Sequence, residues 1–392
     1  MIKKLSILIL MIGVSMAFVS CDFLKNTTLS STSESESTSD VITRNTTIQS
    51  SDTLTTTDLI STTTETVTTV MTTTETVTTE VTTVLTTEEP TTTTTSLSYG
   101  DPFIPTGYNL LQDELDYVGI PSMGNPKVLV FAVDFSDYPS TWSDVTISDI
   151  ETAFNGDSND LDYESLNSYY YQSSYGNLDL TADVYGYYRA SQPASYYEDE
   201  YDRLWATDAW GNYLYDDVTY PDSDLIYEVL SYYDDDIDYA DYDYNNDGYI
   251  DGIYIVYSYP VSYYSGSDLW WAYQDYYAYT DHDYFDGVSP CYFVWAGSDF
   301  FNEGSDDINA RTIIHETGHM LGLDDYYDYD DSDNYNSGGL GGADMMDYAY
   351  GDHNPFSKML LGWVTPWVVE ESMALELLPF VDSGQVILLI DE

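Results

Sequence analysis

Basic residues are scarce. The 392-residue chain carries 9 Lys+Arg against 69 Asp+Glu, a formal net charge of −60. Beyond residue 98 the imbalance is five basic against 58 acidic residues, a net of −53. A field of that sign repels phosphate backbones, which excludes nucleic acid as a partner. It attracts cations, and dense Asp clusters point to calcium as a counter-ion, although most of these charges belong on a solvated surface. Cysteine is nearly absent, with Cys21 and Cys291 alone. With Cys21 lipidated, Cys291 has no intramolecular partner, and a disulfide framework is excluded. Cys291 reads as a buried, inert thiol, with a thiolate that blocks a metal as the alternative. After the N-terminus no apolar run is long enough to span a bilayer. Aromatic mass is abundant instead: 42 Tyr, 12 Phe and 8 Trp supply a core and rule out a disordered acidic tail for the region beyond residue 98. The length admits one large domain or two ordinary ones.

The opening MIKKLSILILMIGVSMAFVSC places Lys3 and Lys4 before an apolar stretch from Leu5 to Phe18, followed by Val19-Ser20-Cys21. The stretch is short and flanked like a signal, not like a membrane-spanning helix. It resembles a bacterial lipoprotein signal, in which the cysteine is acylated and becomes the first mature residue; Phe18 stands where that motif has Leu. An ordinary cleaved signal and an uncleaved anchor are the alternatives. All three place the rest of the chain outside the cytoplasm, and the first tethers it by lipid to the extracellular face of a bacterial cell membrane. Residues 22–98 are Ser/Thr-rich, with TTTETVTT at 62–69 and again at 72–79. Such a tract cannot bury a core and is expected to be an extended stalk that spaces the folded domain from the membrane.

Composition shifts near Tyr99. The run KVLVFAVDF at 127–135 predicts a buried strand, and GIYIVYSY at 252–259 another. Residues 147–154, 163–171 and 225–233 have helical spacing. Within 173–188 a turn at Gly176 precedes alternating Leu178, Leu180 and Val184. Mixed strands and helices predict an α/β or α+β domain over 99–366. After Thr365 the pattern turns β-like, with WVVEE and QVILLI, and 367–392 reads as the start of a β-rich region, short or truncated.

The segment RTIIHETGHMLGLDDYYD, 311–328, carries the chemistry. His315 and His319 are four apart, so both imidazoles lie on one helix face, one turn apart. Two such nitrogens can grip one Zn²⁺ at about 2.0–2.1 Å. Glu316 sits beside them, placed to hold a water in the open position. Ala310, Ile313, Ile314 and Leu321 form the core-facing side; Asp307 is the expected N-cap and Gly322 the expected stop. Gly322 follows His319 by three, and Asp325 follows Gly322 by three. A glycine permits the sharp turn that swings Asp325 back as third ligand. The whole is H-E-x-x-H-x-x-G-x-x-D, a metzincin-like pattern with Asp in place of the third His.

This segment resembles the zinc helix of the immune inhibitor A family of secreted zinc metallopeptidases. KVLVFAVDFSD (127–137) is similar to that family's first strand, and NSYYYQSSYGNLDLTADVYGYY (167–188) to its tyrosine-rich segment with S-Y-G and a strand. DYNNDGYIDGIYIVY (243–257) resembles its acidic Gly-Asp loop and strand. MMDYAYGDHNPFSKMLLGWVTP (345–366) resembles its Met-turn and the helix after it. The blocks run in the family's order from 127 to 366. Asp324 departs from the pattern, standing where the family has Pro before the ligand Asp. The resemblance implies a metzincin-like zinc peptidase domain with a mixed sheet, acting on proteins or peptides.

Met345 and Met346 precede Asp347-Tyr348. In metzincins a methionine lies in a tight turn beneath the zinc, a role assigned here to Met346; two ordinary core methionines are the alternative. Tyr348, two residues on, is a candidate donor to the oxyanion, or one more structural tyrosine. Asp243, Asn245, Asp247, the Tyr249 carbonyl and Asp251 match the first nine positions of a calcium loop, but position twelve is Tyr254, not Glu. A polar turn ahead of the strand at 252 is the other reading. The run Asp328, Asp330, Asp331 and Asp333 reads as solvated surface first and calcium second. His353 is the rival third ligand; His282, among Tyr and Asp, reads as a surface histidine. The expectation is a lipid-anchored extracellular zinc endopeptidase with Glu316 as general base. The alternative is a non-catalytic, calcium-stabilised surface adhesin or binding module, and an intact Glu316 argues against it.

Overall fold

The computed structural model describes residues 95–96, 112, 117–261, 266–302, 307–327, 339–369 and 374–389. The signal, Cys21, the stalk except Thr95 and Ser96, and the acidic run from Asp328 to Asp333 lie outside the described residues. Thr95 and Ser96 pair in parallel with Leu375 and Glu376.

The sheet is built on Lys127–Asp134, strand β1. Successive side chains of a strand point to opposite faces. Val128, Val130 and Ala132 therefore enter one core, while Leu129, Phe131 and Val133 enter another. Burial on both faces explains why this strand reads as an unbroken apolar run rather than an alternating one. Thr181–Arg189 (β2), Ile253–Tyr257 (β3), Tyr273–Tyr276 (β4) and Tyr292–Gly297 (β5) complete the sheet in the order β2-β1-β3-β5-β4. All pairings are parallel except β4 against β5, so the sheet is mixed. The architecture is α/β.

Helices cover both faces. On the first lie Ile147–Asn155 (α1) and Leu166–Ser173 (α2), contributing Ile150, Phe154, Leu166 and Tyr170 to the core. The α1 N-terminus is set by a capping box: the Asp149 N–H donates to Thr146 Oγ1 and the Thr146 N–H to the Asp149 carboxylate. Helix α2 starts later than the 163–171 spacing predicts because Ser165 caps it. On the second face lie Ala194–Trp205 (α3) and Pro221–Tyr233 (α4). Proline at the first position of α4 extends that helix upstream of the expected Leu225 start.

Each large buried side chain contributes roughly 1.5–3 kcal/mol, against about 0–1 kcal/mol for an exposed ion pair. The two aromatic-rich cores therefore hold the sheet. Among the described residues no helix is long and apolar enough to cross a membrane.

Arg311–Met320 (α5) packs on the first face. Ile313 and Ile314 face the sheet, Tyr254 Oη lies 2.8 Å from Thr317 Oγ1, and Tyr170 Oη donates to the Ile314 carbonyl at 2.7 Å. The expected Asp307 cap is not used. The helix begins after Ala310, and Asn309 Oδ1 accepts the Arg311 N–H instead. At the other end Gly322 adopts φ +95°, as the stop requires. Met345–Tyr348 (α6) and Pro355–Leu360 (α7) follow, then Phe380–Ser383 (α8). Trp367–Val369 (β6) pairs in parallel with Ile387–Leu389 (β7).

Candidate metal centre

The spacing of four on α5 brings the His315 and His319 rings to 5.0 Å, nearly perpendicular. Each Nδ1–H is committed to a backbone carbonyl: His315 to Met345 and His319 to Leu323, both at 2.7 Å. Those bonds set the tautomer and leave each Nε2 as a lone-pair donor. The turn at Gly322 returns the chain so that Asp325 Oδ1 lies 3.0 Å from His315 Nε2 and 3.4 Å from His319 Nε2. One ligand atom from each of the three residues falls within 4.8 Å of the other two, the one group of His, Cys, Asp and Glu side chains among the described residues that does so.

Two neutral imidazole lone pairs facing a carboxylate oxygen are acceptors facing an acceptor. His315 Nε2 is buried and has no hydrogen-bond partner among the described residues. Only a cation, a proton or a metal, satisfies such a set, and two nitrogens with one carboxylate suit zinc. Burial pulls the His319 imidazole down, yet the Asp325 carboxylate outweighs it and lifts it to about 9. Burial pushes Asp325 up, but the two imidazoles hold it well below the ordinary carboxylate range.

Glu316 is buried beside this set. Burial raises its carboxyl, His315 and His319 draw it back down, Asp325 raises it, and the Gln274 backbone lowers it by hydrogen bonding. Gln274 belongs to β4, the last strand of the sheet.

Met346 lies beneath α5. A Cβ on Gly318 would overlap the Met346 sulfur, so glycine at this helical position is what lets the methionine approach. Asp344 caps the turn by accepting the Met346 N–H, and Ala349 closes it in the left-handed region at φ 48°. The Tyr326 N–H donates to the Met346 carbonyl at 2.8 Å, tying the segment that carries Asp325 to this turn.

Tyr348 is 46% exposed and its ring packs beside Gly342. The ring stacked on His315 is instead Tyr327, centroid to centroid 6.4 Å. Sequence reasoning missed it; its place two residues after Asp325 was the available signal. His353 is not brought to the cluster. It is buried among Tyr169, Tyr170 and Trp363, with neither ring nitrogen hydrogen-bonded among the described residues. Burial, then Lys358 and His315, pull it down to about 3. His282 is exposed, with Nδ1 3.0 Å from the Thr280 carbonyl. Cys291 is a free, buried thiol pushed up to about 12 by burial, with Thr280 opposing.

Across the Asp243–Asp251 segment, Asp243 accepts the N–H groups of Asp247 and Gly248, and Asp247 accepts that of Tyr249. Asn245 Oδ1 also accepts the Asp247 N–H. Tyr254 points away into the core, its hydroxyl on Thr317. Compared with known proteins, the sequence matches no family model and no curated protein.

Proposed function

We propose that the chain is a zinc-dependent endopeptidase of the metzincin-like, immune inhibitor A type, anchored by lipid at Cys21 and acting on extracellular proteins or peptides. The observation that carries this reading is the convergence of His315, His319 and Asp325 with buried Glu316 beside them. When bound, zinc supplies a Lewis acid and lowers the pKa of a coordinated water to roughly 7. His315 and His319 would hold the metal through Nε2, their rings locked by the Met345 and Leu323 carbonyls. Asp325 would supply the third donor and reduce the net charge of the site to about +1, enough to favour an oxyanion.

Glu316 accepts the water proton on its carboxylate and later delivers it to the leaving amine. Burial raises its proton affinity, and the neighbouring imidazoles keep the ionised form accessible. Met346 provides an apolar floor under α5. Tyr348 is a candidate hydroxyl donor to the developing oxyanion, with a purely structural tyrosine as the alternative. The test is digestion of casein or gelatin by the intact protein with and without a zinc chelator. Loss on chelation, restoration by zinc, and an inactive Glu316→Gln that still holds stoichiometric metal are expected. Chelator-resistant digestion would overturn the reading.

A further inference from the structure

A second cluster of oxygen donors lies apart from the zinc helix, where the chain enters β3. The segment from Asp243 to Tyr249 folds into a tight loop, with Asn246 at φ 60° and Gly248 at φ +95°. Acidic loops are common in so acidic a chain, and the loop alone would carry nothing. What distinguishes it is Asp251, which is fully buried. Its Oδ2 accepts the Tyr244 N–H at 2.9 Å, which lays the carboxylate against the start of the loop. Its Oδ1 is buried with no hydrogen-bond partner among the described residues. An unmet carboxylate oxygen in the interior is costly unless a cation meets it.

Among the described residues no basic side chain is left to meet it. Each of the five basic side chains beyond residue 98 is engaged elsewhere: Lys127 with Asp183, Arg189 with Asp134, Arg203 with Glu200, Arg311 with Asp162, Lys358 with Asp352.

We infer that the Asp243–Asp251 loop is a calcium site, with Asp243, Asn245, Asp247 and the Tyr249 carbonyl as loop ligands and the buried Asp251 Oδ1 as the ligand that closes it from the protein side. The donor set is all oxygen and includes amide and carbonyl groups, which suits a hard cation with 6–8 ligands at about 2.3–2.6 Å. Opposed oxygens in such a shell are about 5 Å apart, so the three carboxylates need not crowd together as the zinc ligands do. Tyr254 occupies the position where a full calcium loop carries its bidentate Glu, and its hydroxyl is committed to Thr317. Affinity should therefore be weak, on the order of the 10⁻⁴–10⁻³ M of extracellular calcium modules. The base of the loop is fixed by backbone: the Asp251 N–H donates to the Tyr242 carbonyl at 2.8 Å and the Ile250 N–H to the Ser289 carbonyl at 3.0 Å.

The experiment uses the full chain with zinc retained, and reads thermal midpoint and calcium titration heat rather than hydrolysis. Calcium should bind one to one and raise the midpoint by about 3 °C at roughly tenfold excess over Kd. Magnesium at equal concentration, which demands tighter octahedral geometry, should give less than half that shift. Asp251→Asn should abolish the calcium response without lowering the calcium-free midpoint, because the amide keeps an acceptor for Tyr244 and brings no charge into the interior. Asp247→Asn should weaken binding at least tenfold. Asp234→Asn removes the same charge from an exposed acidic run and should leave the response intact. No titration heat at 10 mM calcium (about ten times the weakest Kd expected) would overturn the site. So would an unchanged response in Asp251→Asn, or equal losses in Asp247→Asn and Asp234→Asn, which would show only general screening of negative charge.

Discussion

The proposed zinc centre on α5 and the proposed calcium loop before β3 would solve one problem, holding a divalent cation, in opposite ways. In the loop every named donor comes from nine consecutive residues, and the carboxylates of Asp243 and Asp247 are pre-set by N–H groups two to five residues away. In the zinc centre the three donors span eleven residues, but their orientation depends on groups far along the chain. The His315 ring is held by a carbonyl 30 residues downstream, and Asp325 sits in a segment pinned to the same turn. A local site can be lost by one side chain. A site assembled by tertiary contacts can also be weakened from positions that touch no ligand.

The largest effect separates chemistry from binding within the centre. Glu316→Gln should retain zinc while kcat/KM falls by about 10²–10⁴, the usual range for a general base, measured on a quenched peptide. Asp325→Ala should lose the metal itself, read by elemental analysis, while His353→Phe should keep it. Metal lost from His353→Phe and retained in Asp325→Ala would reverse the ligand assignment. Tyr348→Phe should lower kcat on the order of 10²-fold with KM little changed, by analogy with other single oxyanion donors. A kcat within about twofold of the parent would make Tyr348 structural and turn attention to Tyr327.

Gly318→Ala tests dependence on remote packing. The added Cβ meets the Met346 sulfur, which should cost about 1–3 kcal/mol of stability by overpacking and loosen zinc, although neither residue is a ligand. Equal zinc affinity in this variant would mean that the Met346 turn is not part of the centre. The smallest effects concern buried titrating groups that serve neither site. Burial, then Asp275, raise Asp222 from 3.8 to about 7, with Ser223 and Tyr273 opposing. The folded state thus binds the extra proton, and this contribution to stability declines as pH rises from about 4 to about 7. Neutral His353 works the other way: its folded value of about 3 against 6.5 means stability is lost as pH falls below 6.5. In thermal scans Asp222→Asn should flatten the first slope and His353→Phe the second, and neither should alter the calcium response.

Much of this could be read from the chain. Spacings of four, three and three place His315, His319, Gly322 and Asp325, because helix pitch and the left-handed freedom of glycine are local properties. The runs at 127–135 and 252–259 are strands because burial on both faces demands continuous apolar sequence. Other elements were less legible. Helix α3 is carried by Tyr197 and Tyr201 among charged residues, and tyrosine alone does not distinguish core from surface in a chain with 42 of them. The start of α5 was misplaced because an acidic residue upstream is a cap only if the backbone turns beside it, and here Asn309 takes that part.

What the sequence determined by itself is the set of groups able to hold a cation and the local geometry that aligns them: two imidazoles on one helical face, a glycine turn, a loop of alternating Asp and Asn. What only the tertiary structure decided is which partners complete those groups. His353 is as good a ligand as any in composition, yet packing among Tyr169, Tyr170 and Trp363 removes it from the cluster. Asp251 is one acid among 69, yet burial leaves one of its oxygens unmet and makes it the member of the loop that most needs a cation. The reason is physical: pitch and turn preference act over a few residues, whereas desolvation is set by whatever the fold brings from elsewhere.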